Sequence, residues 1–159
     1  MNSVALTAVI KLNLCRRPLM SPTIAGECLG IGRRELNALV DSGEIPWAFD
    51  LGVGRNRTEL RILACCVVER ATGPIPAIGA TRNLNLPEVV DLILPKTRET
   101  LFGTELQRLF NASPDLIRDL AHAGEIKQLS GPLPAVGPNS SPRFTRASLV
   151  KLLENRRIT

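Results

Sequence analysis

The 159-residue chain contains no tyrosine and few other aromatic residues, so that aromatics make up only 3% of it. Proteins that read single-stranded nucleic acid stack bases on exposed aromatic side chains, and this composition argues against that class. The missing tyrosine also excludes the nucleophile of a tyrosine recombinase. Hydrophobic residues still reach 44% of the chain, so the sequence predicts globular cores that are mostly aliphatic.

Histidine and cysteine are scarce. His122 is the only histidine, and the four cysteines, Cys15, Cys28, Cys65 and Cys66, include no C-x-x-C pair. A zinc site needs four converging ligands, usually in close pairs, so no metal site is predicted. Adjacent Cys65 and Cys66 are typical of small buried residues in a helix, and His122 is expected to be a surface or hydrogen-bonded side chain. Free thiols fit a reducing cytosol.

Motifs of catalysis and of membrane insertion are also missing. Residues 52–55 (GVGR) lack the Lys-Ser/Thr of a phosphate-binding loop, and a lone histidine gives no support to a catalytic Cys–His pair. The sequence therefore predicts a protein that is not an enzyme and binds no cofactor. The apolar start of the chain is short and interrupted by Lys11, so neither a signal peptide nor a membrane span is expected. A cytoplasmic protein without a membrane partner is the prediction.

The charge is mildly basic, with a formal net charge of +5. A basic excess fits a nucleic acid or another polyanion as partner, and the alternative is a basic protein without such a partner. Residues 74–100 carry three basic and three acidic side chains. The excess therefore lies in the two flanking parts of the chain.

Two segments that lie 81 positions apart carry the same pattern. Residues 24–45 (IAGECLGIGRRELNALVDSGEI) align without a gap with residues 105–126 (ELQRLFNASPDLIRDLAHAGEI). Four residues are identical in both segments: Leu39, Gly43, Glu44 and Ile45 in the first, and Leu120, Gly124, Glu125 and Ile126 in the second. Self-similarity at a fixed spacing indicates a duplicated unit. The chain is therefore predicted to use one small helical module twice.

Each segment predicts two short helices around a tight turn. In the first, Ser21-Pro22-Thr23 is a helix-start signal, residues 30–32 form the turn, and residues 33–42 form a second helix that Gly43 ends. The expected inward side chains are Ile24, Ala25, Cys28 and Leu29 on the first helix, and Leu36, Leu39 and Val40 on the second. In the second segment the helices span 104–110 and 114–123, and Gly124 ends the latter.

The remaining stretches complete the predicted organisation. Residues 45–49 and 55–62 favour a β-hairpin around a Gly-rich turn, and residues 143–145 favour a returning strand after the loop 131–142. Asn85 is the expected cap of a short helix that either packs the modules together or binds a partner. The boundaries are therefore an arm at 1–20, in which residues 4–14 favour a strand or an extended segment, a first module at 21–72, a linker with a short helix at 73–99, and a second module at 100–159.

These motifs together resemble the winged helix-turn-helix of the excisionase/MerR superfamily. The first copy contributes A-x-E-x-L-G-I-x-R-R-x-L-x-x-L-V-x-x-G-E-I-P from Ala25 to Pro46, and the second contributes Gly124-Glu125-Ile126 and R-F-T-R-x-x-L-x-x-L-L-E from Arg143 to Glu154. The resemblance implies a mainly α fold with small β-hairpin wings, in two tandem winged helix-turn-helix modules. It also implies sequence-specific binding of double-stranded DNA by a bacterial, nucleoid-associated protein. The expected role is an excisionase-like recombination directionality factor or a small regulator of a mobile genetic element, with an integrase or transposase as a possible protein partner.

In that family the second helix enters the major groove and the wing contacts the adjacent minor groove or backbone. The resemblance therefore implies DNA contacts by Arg33, Arg34 and Asn37 on the first recognition helix, and by Arg55 and Arg57 on the first wing. Arginine and asparagine can read guanine and adenine edges or hold phosphates, and a narrow minor groove attracts arginine. The alternative for such a cluster is a solvated helix face.

The second copy departs from this pattern. Asp115 and Asp119 on its recognition helix would repel phosphates, so a weaker or different contact is expected there. The remaining candidates for DNA contact are Arg118, Lys127, Arg143 and Arg146. Alternatively the second copy packs on the first, or it binds protein. In the latter case the chain is the DNA-binding or adaptor subunit of a larger nucleoprotein complex. A ligand-sensing regulator of the longer MerR type is less expected, because no dimerising helix or effector domain follows Arg157.

Overall fold

A computed structural model describes residues 16–54, 58–129 and 141–158. In these residues the architecture is mixed α/β, with about half of the chain in seven α-helices and with two small antiparallel sheets. The strand expected near residues 4–14, the wing residues Arg55 and Arg57, and most of the loop 131–142 lie outside the described residues. No helix of the described part combines the length and the apolar character needed to cross a membrane.

The elements alternate between short strands and short helices. The helices are α1 (Pro22–Leu29), α2 (Arg33–Asp41), α3 (Ala64–Thr72), α4 (Leu86–Ile93), α5 (Gly103–Leu109), α6 (Pro114–His122) and α7 (Arg146–Arg156). The strands are β1 (Leu19–Met20), β2 (Ala48–Asp50), β3 (Leu60–Leu63), β4 (Thr100–Phe102) and β5 (Arg143–Thr145). A 3-10 turn spans Thr81–Asn83.

The repeat in the sequence is also present in the backbone. α6 lies 81 positions after α2 at both of its ends. Gly30 and Asn111 are separated by the same offset and both adopt left-handed backbone angles, with φ of 68° and 47°. The next residue in each turn, Ile31 or Ala112, donates its N–H to a carbonyl five residues back, at 3.0 and 2.9 Å. Both segments therefore contain the predicted pair of helices around a tight turn, and we call them the first and second repeats.

The buried face of α2 is the predicted one, whereas that of α1 is not. Leu36, Leu39 and Val40 of α2 are buried. On α1 the buried residues are Pro22, Ala25 and Gly26, while Ile24 is 37% exposed and Cys28 is exposed. The prediction of Ile24 and Cys28 as inward residues was therefore wrong. The reason lies at Gly26, where an added Cβ would be only 2.9 Å from the Ile31 carbonyl oxygen, so the turn packs on the side of α1 that has small residues.

The first sheet has β3 in its centre, with β1 and β2 antiparallel on either side. The predicted hairpin is thus observed as β2 and β3. Strand β1 was not predicted, because the sequence pattern assigns residues 19–20 to the arm. Leu19 of this strand pairs with Leu63 and is fully buried. Two residues are too few to show an alternating pattern, so β1 gives no signal in the sequence.

The second sheet is wider than the expected wing. The predicted returning strand is present as β5, and it pairs with β4, an upstream strand that the sequence did not predict and that precedes α5. On its other side β5 is hydrogen-bonded to the residues before the loop: Leu129 N–H donates to the Arg143 carbonyl at 2.9 Å, and Thr145 N–H donates to the Lys127 carbonyl at 3.0 Å. β5 therefore lies between two neighbours, as β3 does in the first sheet.

The segment between the repeats is ordered and packed. Asn85 caps α4 as predicted, and Glu88 completes a capping box by accepting from the Asn85 N–H at 2.7 Å. Such reciprocal bonds satisfy helix-end donors that would otherwise be unpaired. α4 buries Val89, Val90 and Ile93 and packs against α7. The helix therefore packs on the second repeat through the same apolar stripe that the sequence predicts.

The two repeats share one apolar core and are joined by residues that follow α7. Ile158 donates its N–H to the Ala48 carbonyl at 2.9 Å, and Arg157 forms an antiparallel bridge with Phe49. Residues 157–158 thus extend the first sheet beyond β2. The Arg157 guanidinium also lies 3.8 Å from the centre of the Trp47 ring, a cation–π contact that adds to the packing.

Candidate nucleic-acid interface

The outer face of α2 presents the predicted reading residues together. Arg33, Arg34 and Asn37 are all exposed, opposite the side that packs into the core. Arg33 Nε donates to Asn37 Oδ1 at 3.3 Å, because residues four positions apart are neighbours on a helix. A guanidinium beside an amide gives this face the two donor types that pair with guanine and adenine edges.

The amino end of α2 adds to this positive character. Its N-cap is Gly32, which has no side chain to accept the first backbone N–H groups. Unsatisfied N–H groups give a helix start a partial positive charge, and Arg33 and Arg34 lie in the same turn. Glu35 is exposed in this turn as well and offsets part of the charge.

The outer face of α6 is built differently, although α6 occupies the equivalent position. Ser113 caps its start by accepting from the Leu116 N–H at 3.2 Å. The predicted candidate Arg118 forms an exposed ion pair with Asp115 on the same face. His122 is exposed in the last turn, which agrees with the expected surface histidine. The start of this helix is thus satisfied internally and its arginine is paired.

The other three candidates of the second repeat fall into two groups. Arg146 is only 24% exposed; its Nε donates to the Pro95 carbonyl and its Nη2 to Asp91 Oδ1, both at 3.1 Å. This side chain joins α7 to the end of α4. Lys127 and Arg143 are exposed. Gln128 and Phe144 form a bridge, and Phe144 points into the core. Successive side chains of a strand point to opposite faces, so the neighbours Lys127 and Arg143 both point to the outer face of the second sheet. The structure therefore places Lys127 and Arg143 diagonally on one face of the second sheet, and Arg146 elsewhere.

Sequence reasoning missed Arg61, which takes the place of Arg143 in the first sheet. Arg61 is 7% exposed, and its Nε donates to the carbonyls of Phe110 and Asn111 at 2.9 and 3.1 Å. An available signal was its setting in the apolar run Leu60-Arg61-Ile62-Leu63. An arginine inside a buried strand needs partners.

Cys65 and Cys66 are buried in α3, as the sequence predicted. The hydrogen bond between the two thiols, together with burial, raises the pKa of Cys65 above its ordinary value, so this thiol stays protonated. Cys66 also borders a cleft of about 510 Å³, together with Glu69, Thr81 and Arg82. In the described residues no group of three or more His, Cys, Asp or Glu side chains could hold a metal ion.

No family model, curated protein or solved structure matches this chain. The interface is therefore defined by the sequence motifs and by the geometry of α2 and the two sheets.

Proposed function

We propose that the protein binds double-stranded DNA sequence-specifically and consists of two tandem winged helix-turn-helix modules. The observation that carries the proposal is the outer face of α2. Arg33, Arg34 and Asn37 are exposed on it, its amino end lacks a side-chain cap, and its inner face is fully used by the core. A short helix held against a second one by a tight turn is a common way to present side chains to the major groove.

The dimensions of α2 suit this role. Nine residues rise about 14 Å at about 1.5 Å each, and the major groove of B-DNA, about 12 Å wide, admits a single helix. In the proposed complex the hairpin of β2 and β3, which follows α2 in the chain, is the wing. Lys127 and Arg143 contribute phosphate contacts, which position a protein on DNA without reading its sequence.

The biological role that we favour is an excisionase-like recombination directionality factor or a small regulator of a mobile genetic element. This part of the proposal is supported by the resemblance of the motifs in both repeats. Such a protein acts at the nucleoid together with an integrase or transposase.

The DNA-binding proposal is tested by selecting duplexes from a random pool and titrating the selected site in mobility-shift assays. Arg33→Ala combined with Arg34→Ala is expected to weaken binding roughly 100-fold, because each good base contact contributes about 1–3 kcal/mol. The matched control combines Arg108→Ala with Lys151→Ala, which removes the same charge from exposed residues of α5 and α7 in the second repeat. Equal affinity of the α2 variant and the unmodified protein would show that α2 is not the reading helix.

A second candidate function is a DNA-binding adaptor subunit of a larger nucleoprotein complex, in which the second module binds protein. The observation that favours it is the outer face of α6, where Arg118 is paired with Asp115 and the helix start is capped. Light scattering of the protein with its selected duplex distinguishes the two functions. Tight and specific binding by a single monomer, with no other protein present, would argue against the adaptor.

A further inference from the structure

The first hairpin, β2 and β3 with the described residues that flank its turn (51–54 and 58–59), is held by the second repeat at two places. One contact is made by Arg61 of the hairpin itself, and the other by Arg156 at the end of α7 together with residues 157–158. Both contacts are long-range in sequence, since Arg61 and Phe110 are 49 positions apart and Arg156 and Gly52 are 104 positions apart.

Arg61 ties β3 to the turn of the second repeat. Its Nε binds the carbonyls of Phe110 and Asn111, and its Nη1 donates to the Leu60 carbonyl at 2.9 Å and to Glu59 Oε2 at 3.2 Å. Phe110 is the C-cap of α5. A cation at the carboxyl end of a helix is favoured by the helix dipole, so the contact fixes the hairpin against α5.

Arg156 ties the turn of the hairpin to the other side of the second repeat. Its Nη1 donates to the Gly52 carbonyl at 2.9 Å, and its Nη2 donates to Glu125 Oε1 at 2.8 Å. Glu125 belongs to the residues just after α6. The guanidinium is 24% exposed and the carboxylate 32%, so this pair is better shielded from solvent than an ordinary surface ion pair.

The residue that Arg156 binds, Gly52, is linked through hydrogen bonds of Asp50 to the ends of both strands of the hairpin. Asp50 Oδ1 accepts from the N–H groups of Gly52 and Glu59, both at 2.9 Å, which closes the base of the turn from its two sides. Leu51 N–H also donates to the Glu59 carbonyl at 3.1 Å. A displacement at Gly52 is therefore transmitted to both strands.

We propose that the second repeat positions the first hairpin for DNA, with Arg61 and Arg156 as positioning residues. This inference rests on the proposed function, in which the hairpin is the wing. β1 pairs with Ile62 and Leu63 only, so the described end of the hairpin near the turn is two-stranded, and two strands alone are only marginally stable. Holding it in one orientation before binding removes part of the ordering cost that association would otherwise carry.

The test compares Arg156→Ala with the unmodified protein on the selected duplex, at a temperature where circular dichroism shows both fully folded. We expect about tenfold weaker binding and a salt dependence reduced by about one phosphate contact, since each lost contact lowers the slope of log Kd against log salt. Arg156→Lys is expected to recover part of the affinity, because an ammonium group can reach one of the two acceptors. Arg98→Ala is the control, since it breaks the half-buried pair with Glu105 away from the hairpin.

The outcomes separate the inference from the proposed function. An unchanged affinity and salt slope for Arg156→Ala would overturn the inference, as would an equal loss for Arg98→Ala, which would indicate a general effect of stability. If the unmodified protein selects no duplex at all, the proposed function is overturned and this inference with it. Arg156 is chosen over Arg61 because its side chain is less buried.

Discussion

The outer face of the first sheet carries Trp47 and Phe49 at the positions where the second sheet carries Lys127 and Leu129. The correspondence is fixed by hydrogen bonds, since the carbonyls of Trp47 and Lys127 accept from equivalent strands, β3 and β5, each at 3.0 Å. Trp47 and Phe49 are buried, whereas Leu129 is 37% exposed. The same scaffold therefore supports a packed face in one repeat and a solvent face in the other.

The outer face of the first sheet is buried because other residues of the chain cover it. Arg157 lies on Trp47 and bridges to Phe49, and the Trp47 indole donates to the Thr81 carbonyl at 2.9 Å. The comparison teaches that the two repeats share their apolar inner positions, while the burial of their outer residues depends on what covers them.

The largest effect is expected from shortening a side chain on the packed face. Phe49→Ala should lower the free energy of unfolding by about 3–5 kcal/mol, because it leaves a cavity where a fully buried ring was. Leu129→Ala at the equivalent position should change it by less than about 0.5 kcal/mol, as for other surface residues. Urea denaturation measures both values. Similar losses for the two variants would show that the second face is packed as well.

An intermediate loss of stability is expected for Arg61→Ala, and it distinguishes Arg61 from Arg143 at the equivalent position of the second sheet. Arg61→Ala removes the donor to three carbonyls, those of Leu60, Phe110 and Asn111, and should cost about 1–3 kcal/mol of stability, the usual penalty for buried groups left unpaired. Arg143→Ala should leave the melting temperature unchanged but weaken duplex binding for every sequence alike, with a salt slope lower by about one. A destabilised Arg143→Ala would mean that the two arginines have the same structural role.

The smallest effect concerns the turns. Gly30→Ala should cost about 1–2 kcal/mol, since a left-handed backbone disfavours a Cβ, and the added atom would meet nothing within 4 Å. Asn111→Gly should change stability by only a few tenths of a kcal/mol, because asparagine tolerates this conformation. Thermal melting of the two variants decides whether the turns are conformationally equivalent. A Gly30→Ala variant that melts like the unmodified protein would contradict the left-handed angle at this position.

Local signals predicted much of this fold. The apolar spacing of Leu36, Leu39 and Val40 gave α2 its correct inner face, and therefore also the exposure of Arg33 and Arg34. Asn85 was a correct cap because capping depends on residues only three positions away. The inner face of α1 was mispredicted, because it depends on the close approach of the Ile31 carbonyl to Gly26, which periodicity does not encode.

The rest depended on contacts between residues far apart in sequence. The apolar run around Arg61 signals burial but not its partner, which lies 49 positions away, and the partner of Arg146 lies 55 positions away. The pairing of β5 with β4 has the same origin. A motif predicts which residue types are present in a candidate site, and tertiary contacts decide which of their charges are free to bind a ligand.

The bridge between Phe49 and residue 157 has a consequence for synthesis of the chain. A ribosome that adds roughly 5–20 residues per second reaches Arg157 roughly 5–20 s after Phe49, its partner in the bridge. During that interval the outer edge of β2 is without its final neighbour, and unpaired edges promote association between chains. Nascent chains that stop before Arg157 therefore expose this edge and are expected to associate more readily than chains that include residues 157–158.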